Sequence, residues 1–157
     1  MRRRWPAAPP PPESGASVHR RAVLAADLGI TVELTALLLY PDGVELCLAL
    51  TAYGHAARQA RFETRHLTDP HDPCAQWSFL RTEVRYGTLH GEADPYQAPI
   101  LSFGTTRLTD FRTTPRYWIG GGAPTPASLT VTVDWTRIGL APTTSTVDVG
   151  SVSHVPP

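Results

Sequence analysis

The residues best suited to binding a ligand are the arginines and aromatic side chains between positions 107 and 118. Arg107, Arg112 and Arg116 precede the pair Tyr117 and Trp118. A guanidinium group binds a carboxylate or phosphate through two parallel hydrogen bonds, and aromatic faces stack on planar groups. We therefore interpret Arg112, Arg116, Tyr117 and Trp118 as a candidate binding surface. The alternative is that Tyr117 or Trp118 packs in the core while the arginines are solvated.

Histidine, cysteine and carboxylate residues form two weaker candidate sites. His66, His71 and Cys74 are close in sequence, but zinc sites usually take two close pairs of ligands and this stretch holds one. His90, with the carboxylates Glu92 and Asp94 nearby, suits acid–base chemistry, but no nucleophile motif accompanies it. We therefore predict a polar loop at the first site and an exposed turn at the second. No catalytic residue, metal site or cofactor is predicted.

Composition limits the classes of partner. The chain has 157 residues and a formal net charge of zero, so no overall positive field attracts nucleic acid or an anionic membrane. All basic residues are arginine, and both lysine and asparagine are absent, which is typical of a GC-rich genome. No apolar stretch is long enough for a signal sequence or a membrane span. We expect a cytoplasmic protein in which Cys47 and Cys74 stay reduced.

The division of the chain is also predicted from composition. Residues 1–18 are rich in arginine and proline and are expected to be a disordered tail. Residues 19–152 are long enough for a single β-sandwich domain with a hydrophobic core. Residues 153–157 are expected to be a frayed end.

Residues 30–52 carry the clearest structural signal, which is two apolar strands around a turn. Pro41, Asp42 and Gly43 suit a three-residue hairpin loop that pairs Tyr40 with Val44. Side chains alternate along a strand, so this register puts one set of apolar pairs on a buried face. Those pairs are Leu38–Leu46, Ala36–Leu48, Leu34–Leu50 and Val32–Ala52.

The same register places Leu37 and Leu39 on the opposite face, near the turn. Other positions on that face, including Thr31, Glu33 and Thr35, are polar, as expected for a face in water. Two leucines there require a cover, which is either another part of the chain or a partner. We therefore add Leu37 and Leu39 to the candidate binding residues.

Further segments have the composition of strands. Residues 79–86 and 129–136 alternate between apolar and polar side chains. Shorter candidates lie at 22–26, 99–103, 116–119 and 147–149. Residues 60–67 alternate weakly, and residues 55–60 suit a helical turn instead. Residues 87–98 and 104–116 are predicted to be irregular connections.

Many short strands without a convincing amphipathic helix indicate an all-β protein. We predict an antiparallel β-sandwich, either immunoglobulin-like or a related Greek key. A β-barrel is the alternative. In either case the apolar sides of the hairpin and of residues 129–136 would face each other across the core.

The strands carry a pattern that resembles a known group of proteins. Residues 32–45 read V-x-L-T-x-L-x-x-Y-P-x-G-x-E, and residues 129–139 read L-x-V-x-x-x-W-x-x-x-G. Between them lie a strand at 80–86 and the pair Tyr117-Trp118. This combination resembles a family of short uncharacterised proteins from high-GC Gram-positive bacteria and would cover residues 22–150. The resemblance implies a β-sandwich-like fold and no established activity.

Two functions remain open. The first is a non-enzymatic sandwich that binds another protein, or forms a homo-oligomer, through Leu37, Leu39 and segment 112–118. The second is a sandwich that binds a small molecule or glycan with its aromatic and arginine side chains. An enzyme is the least supported class, and the sequence identifies no biochemical activity.

Overall fold

The fold is taken from a computed structural model of the chain. It describes residues 2–5, 10, 16–18, 21–64, 80–96, 101–102, 110–121 and 128–149. The strands in this part of the chain are β1 (Arg2–Trp5), β2 (Ala16–Val18), β3 (Ala22–Asp27), β4 (Ile30–Tyr40), β5 (Gly43–Tyr53), β6 (Arg81–Tyr86), β7 (Leu89–Ala93), β8 (Leu101–Ser102), β9 (Asp110–Thr113), β10 (Arg116–Gly120), β11 (Ser128–Trp135) and β12 (Leu140–Asp148). The same residues include helix α1 (Gly54–Thr64) and a short 3₁₀ helix at Thr136–Ile138.

The described strands form two sheets. The smaller sheet has the strand order β1-β7-β6-β11-β12. The larger sheet has the order β2-β4-β5-β9-β8, with β3 also pairing with β4 and β10 also pairing with β5. The sheets are not closed into a barrel, so the predicted β-sandwich is confirmed and the barrel alternative is wrong.

The core is built from alternate side chains of the strands. In β11 the side chains of Leu129, Val131, Val133 and Trp135 are buried, as the alternation of residues 129–136 predicts. They belong to the same hydrophobic cluster as Leu48 of β5, in the other sheet. Burying a side chain of this size contributes roughly 1.5–3 kcal/mol. The core therefore joins the two sheets.

Helix α1 joins the two sheets through further contacts. It contacts β5 and β9 of the larger sheet and the 3₁₀ helix that follows β11 in the smaller sheet. Ala56, Ala57 and Ala60 are buried in the common core. Alanine has the highest helix propensity, and its small side chain permits close approach. The helix reaches Thr64, so the strand predicted at 60–67 is wrong for residues 60–64.

The hairpin of β4 and β5 forms, but its register differs from the prediction. Tyr40 pairs with Gly43 across a two-residue turn, and not with Val44. A bulge at Thr35 then inserts one extra residue into β4. The Thr35 hydroxyl donates a hydrogen bond to the backbone carbonyl of Cys47 (3.1 Å). The bulge therefore has a partner of its own in the neighbouring strand.

The bulge places Leu37 and Leu39 on the inner face. Leu37 pairs with Leu46 and Leu39 with Val44, and both partners are fully buried. Leu37 is 1% exposed, and Leu39 is partly buried against the core. The predicted exposed leucine patch is wrong, because one extra residue reverses the alternation in the second half of β4.

Part of the segment predicted to be disordered forms strands. Residues 2–5 form β1, which pairs with β7, and residues 16–18 form β2, which pairs with β4. The prediction gave no weight to Trp5, whose side chain is buried in the core and 3% exposed. The predicted frayed end at residues 153–157 lies outside the described residues.

Two predicted connections also contain strands. Strand β7 lies within residues 87–98 and pairs with β6, and β9 lies within residues 104–116 and pairs with β5. Their sequences, LHGEA and DFRT, have little strand character, and a neighbouring strand determines their conformation. The strands predicted at 22–26, 79–86, 99–103, 116–119, 129–136 and 147–149 all overlap observed strands.

Candidate functional site

A groove on the outer face of the larger sheet is lined by three arginines. We call it the arginine groove, and its volume is about 520 Å³. It is lined by Arg21, Thr35, Ala36, Cys47, Leu48, Arg112, Thr114 and Arg116. All three arginines are exposed. The groove is therefore lined by three exposed arginines and by two threonines.

Three irregularities in neighbouring strands line the groove. Arg21 lies where the chain passes from β2 to β3 along one edge of β4. Thr35 is the bulge of β4 itself. On the far side, Thr114 lies where the chain passes from β9 to β10 along β5, and Pro115 there accepts a hydrogen bond from the Leu48 amide (3.0 Å). Regular strand pairing is thus interrupted on both sides of β5 and along the outer edge of β4, near Arg21, Thr35 and Thr114. These interruptions leave room for a groove.

Strand register directs Arg112 and Arg116 to the same face. Arg112 pairs with Thr51 and Arg116 with Cys47, which are four residues apart along β5. At the usual rise of a strand this spacing is about 13 Å. The Arg112 guanidinium donates to the Thr51 hydroxyl (3.1 Å). Two long cationic side chains can thus reach one small ligand from opposite ends.

Arg116 is held by a buried carboxylate. The side chain of Glu45 is 6% exposed, and its Oε1 lies 3.9 Å from Nη1 of Arg116. The Tyr96 hydroxyl donates to the same carboxylate oxygen, and the Tyr40 hydroxyl donates to Oε2 (3.2 Å). The Tyr96 amide also donates to the Arg116 carbonyl (3.0 Å). A charged residue that is this well buried normally requires such partners.

The pKa values in this cluster follow from burial and from Glu45. Burial first, and then the Glu45 charge, raise the pKa of the Cys47 thiol to about 11. Burial and the hydrogen bond to Glu45 raise the pKa of Tyr96 to about 12. A hydrogen bond with Tyr96 raises the pKa of Arg116. At neutral pH the thiol is therefore protonated, which makes it a poor nucleophile, while the guanidinium is a permanent cation.

Trp118 lies on the same outer face, beside the groove. It is half-buried, and its ring meets that of Tyr40 edge to face, with centroids 5.2 Å apart and an interplanar angle of 90°. The indole lies over two glycines, Gly43 and Gly120. Trp118 does not line the groove. It is a rigid neighbour of Arg116 on the outer face.

The predicted binding residues other than Trp118 separate into three groups. Arg112 and Arg116 line the arginine groove. Tyr117 points the other way and is fully buried, and its hydroxyl accepts a hydrogen bond from Thr82 (2.9 Å). Burial raises its pKa. Leu37 and Leu39 face the core, as described above.

Sequence reasoning missed Arg21, Glu45 and Tyr96. Arg21 and Tyr96 lie far from segment 112–118 in sequence, and only the folded chain brings them to it. Glu45 carried a usable signal, since it is a lone carboxylate in the apolar strand GVELCLALTAY. A charge in such a strand requires a partner, and that partner is a candidate for a functional group.

No protein-family model, no curated protein and no solved structure matches this chain. Within the described residues, no helix is long and apolar enough to cross a lipid bilayer.

The other candidate sites do not form a metal centre in the described part of the chain. No group of three or more histidine, cysteine, aspartate or glutamate residues there is placed to hold a metal ion. His90 and Glu92 lie in strand β7 and not in the predicted turn, and Glu92 accepts a hydrogen bond from Arg81 (2.7 Å). His66, His71, Cys74 and Arg107 lie outside the described residues.

Proposed function

We propose that the protein is a non-enzymatic binding module that holds a small anionic ligand, bearing a carboxylate or a phosphate, in the arginine groove. The observation that carries this proposal is the convergence of Arg21, Arg112 and Arg116 on one groove of about 520 Å³. Cavities of this size are typical of small-molecule sites. A carboxylate or phosphate is the chemical group that matches several guanidinium forks.

The charge of the groove supports an anion. Among the described residues that line it there are three guanidinium groups and no carboxylate. Glu45 lies behind Arg116 and neutralises one charge, which leaves two positive charges for a ligand. The Thr114 hydroxyl also lines the groove, whereas the Thr35 hydroxyl already donates to the Cys47 carbonyl. A dianion or a compact polycarboxylate therefore satisfies the site better than a neutral molecule.

Preorganisation is the second support. The Arg116 side chain lies beside Glu45 and Tyr96 before any ligand arrives, so part of its side-chain entropy is already lost. Arg112 has one weak partner, the Thr51 hydroxyl, which a stronger acceptor can replace. The groove thus combines one cation that has partners in the protein with others that can turn toward the ligand.

The hypothesis that the protein binds another protein or itself is weakened, because one of its two predicted contact surfaces is not exposed. It relied on Leu37 and Leu39 as an exposed patch, and both leucines face the core. A neutral glycan would instead stack on Trp118, whose ring already meets Tyr40. We retain two further proposals from the sequence. The chain belongs to the family from high-GC Gram-positive bacteria, and it is cytoplasmic, with which the free thiol of Cys47 is compatible.

The test is a binding titration at low salt. Calorimetry with inorganic phosphate, citrate, a sugar phosphate and the corresponding neutral sugar separates the chemical classes. We expect binding of at least one anion and no binding of the neutral sugar. Each of Arg112→Gln and Arg116→Gln should weaken binding about 10- to 100-fold, because a hydrogen bond to a charged group is worth about 1.5–3 kcal/mol. Higher salt should also weaken it.

Arg85→Gln is the matched control. Arg85 is an exposed arginine on β6, in the other sheet, so the substitution changes net charge equally without touching the groove. Equal losses in Arg85→Gln and Arg112→Gln would mean that only the net charge matters, and the proposal would fall. The absence of binding by every anion would also refute it. Binding of the neutral sugar that is lost in Trp118→Ala would favour the glycan function instead.

A further inference from the structure

Arg112 and Arg116 occupy one row of the larger sheet. They lie on β9 and β10, and both of these strands pair with the edge of β5 that faces away from β4. Arg112 is opposite Thr51 and Arg116 is opposite Cys47, so their backbones are about 13 Å apart along β5. The arginine groove therefore has a cation at each end of this row.

The two guanidinium groups do not meet in the middle of the row. Nη1 of Arg112 lies 3.1 Å from the hydroxyl of Thr51, its own partner in the register. Nη1 of Arg116 lies 3.9 Å from Oε1 of Glu45, and that oxygen lies 3.9 Å from Sγ of Cys47. Each guanidinium group thus stays near the level of its own backbone, about 13 Å from the other. A single carboxylate or phosphate, with hydrogen bonds of about 2.9 Å on each side, does not bridge that gap.

The surface between the two cations favours an uncharged middle in the ligand. Ala49 is the outer-face residue of β5 that lies halfway between Thr51 and Cys47. The Cys47 thiol keeps its proton at neutral pH, because its pKa is about 11. Glu33 of β4 pairs with Ala49, so a carboxylate flanks the middle of the row. An anionic group at this position in a ligand would be repelled, whereas a methylene chain would not.

Arg21 lies off this row. It directly precedes β3, whose first residue, Ala22, pairs with Leu34 of β4. Strands β4 and β5 separate it from β9 and β10, which is about 14 Å at the usual strand spacing. Arg21 therefore contributes positive charge to the groove from the side and does not extend the row of Arg112 and Arg116.

We propose that the arginine groove takes a straight-chain ligand with an anionic group at each end, Arg112 binding one end and Arg116 the other. This inference rests on the proposed anion-binding function and adds the span of the ligand to it. Hydrogen bonds of about 2.9 Å at both ends leave about 7 Å between the two anionic groups. The end groups are carboxylates or phosphates, because the guanidinium fork matches both.

The first test compares two isomeric dicarboxylates by calorimetry with the full chain at low salt and pH 8. Adipate has a carboxylate at each end, whereas its isomer propylmalonate has both on one carbon atom, so formula and charge are the same and only the span differs. We expect adipate to bind about 10-fold or more tightly than propylmalonate, because a second hydrogen bond to a charged group corresponds to about a 10- to 100-fold change. Hexanediol bisphosphate and hexyl phosphate make the corresponding comparison for phosphates. A preference in either pair supports the proposal and identifies the end group, and equal affinities in both pairs would overturn it.

The second test asks which arginines create the preference. Arg112→Gln and Arg116→Gln should each abolish the preference for adipate, because one remaining arginine of the row binds only one end. Arg21→Gln should weaken both isomers by the same factor, and Arg85→Gln, outside the groove, should leave the preference unchanged. A preference that survives Arg112→Gln would overturn the proposal. If Arg116→Gln does not fold, because Glu45 loses a partner, Arg112→Gln and the wild-type comparison decide.

The two proposals fail in different ways. If the members of each pair bind equally and lose affinity in Arg112→Gln, the groove binds anions without selecting their span, and only the present inference falls. If no anion binds, the anion-binding function falls with it.

Discussion

The close packing of Trp118 on Gly120 makes a quantitative prediction about the outer face. A methyl group added at Gly120 would lie 2.6 Å from Nε1 of the Trp118 indole. Ordinary van der Waals contact begins at 3.4 Å, so the ring must move by about 0.8 Å. The backbone does not oppose alanine there, because Gly120 is not among the described glycines with positive φ, which are Gly29, Gly54, Gly87, Gly121 and Gly139. The expected cost of Gly120→Ala therefore comes from the displaced indole.

The size of the cost depends on what the methyl group meets. Overpacking typically costs 1–3 kcal/mol, and we expect about 1–2 kcal/mol for Gly120→Ala because a side chain can yield. The expected loss of stability is larger for Gly43→Ala. Its methyl group would lie 2.4 Å from the Ile119 carbonyl oxygen and 2.9 Å from Trp118. Since a backbone atom is involved, β10 has to separate from β5, and we expect a loss of about 3 kcal/mol or more.

Urea unfolding followed by circular dichroism, with each alanine made in the wild type and in Trp118→Ala, tests this reasoning. Without the indole, Gly120→Ala should cost less than about 0.5 kcal/mol, whereas Gly43→Ala should remain costly because the Ile119 carbonyl is still present. Equal costs of Gly120→Ala in both backgrounds would refute the assignment of the clash to Trp118. A neutral Gly43→Ala would refute the close approach of β10 to β5.

Three further predictions concern the core and the cluster behind the groove. Tyr96→Phe removes a hydroxyl that donates to a buried carboxylate and should lower the free energy of unfolding by about 1.5–3 kcal/mol in urea titrations. In a Cys74→Ser background, Cys47 with its pKa of about 11, against a usual 9.0, should react with a disulfide reagent at pH 8 about 100-fold more slowly than in the unfolded chain. Leu37→Asp should unfold the protein in a thermal melt, because a carboxylate without a partner in the core costs several kcal/mol.

Each of these has its own contradicting result. A loss below about 0.5 kcal/mol for Tyr96→Phe would mean that Glu45 does not depend on that hydroxyl. Equal thiol reactivity in folded and unfolded protein would contradict the environment of Cys47. Leu28→Asp is the control for Leu37→Asp, because Leu28 is 94% exposed, and equal effects of the two would contradict the bulge in β4.

The raised pKa of Cys47 also determines how the free energy of unfolding changes with pH. The thiol keeps its proton in the folded state up to about pH 11 but loses it near pH 9.0 in the unfolded chain. Between these values the unfolded state binds fewer protons, so this group lowers the free energy of unfolding as the pH rises. The contribution of the thiol to the free energy of unfolding is fully present below pH 9 and is lost as the pH rises toward 11. This pH dependence should be absent from urea unfolding of Cys47→Ala.

Much of the fold could be predicted because strand formation is local where alternation is strong. The apolar positions of β11 and β5 identified the inner faces of both sheets correctly. Prediction failed at β7 and β9, whose sequences have little strand character and which depend on their neighbours for pairing. It also failed for Trp5, since a single aromatic next to a proline-rich run has no periodicity to reveal its burial.

The candidate site could be predicted only in part. Arg112 and Arg116 were identified from residue type, because a guanidinium group has the same chemistry wherever it lies on the surface. Their partners Arg21, Glu45 and Tyr96 were not, since they come from distant parts of the chain. Tyr117 was included wrongly, because neighbouring residues of a strand point to opposite faces and only the register decides which one turns inward.

The sequence by itself thus determined the all-β class, most strand positions and two of the three groove arginines. These properties follow from side-chain chemistry and from a period of two. The tertiary structure decided which face each residue occupies and which distant residues meet. The physical reason is the bulge at Thr35, because one extra residue reverses the alternation and sends Leu37 inward. That reversal removed the predicted leucine patch and left the arginine groove as the candidate site.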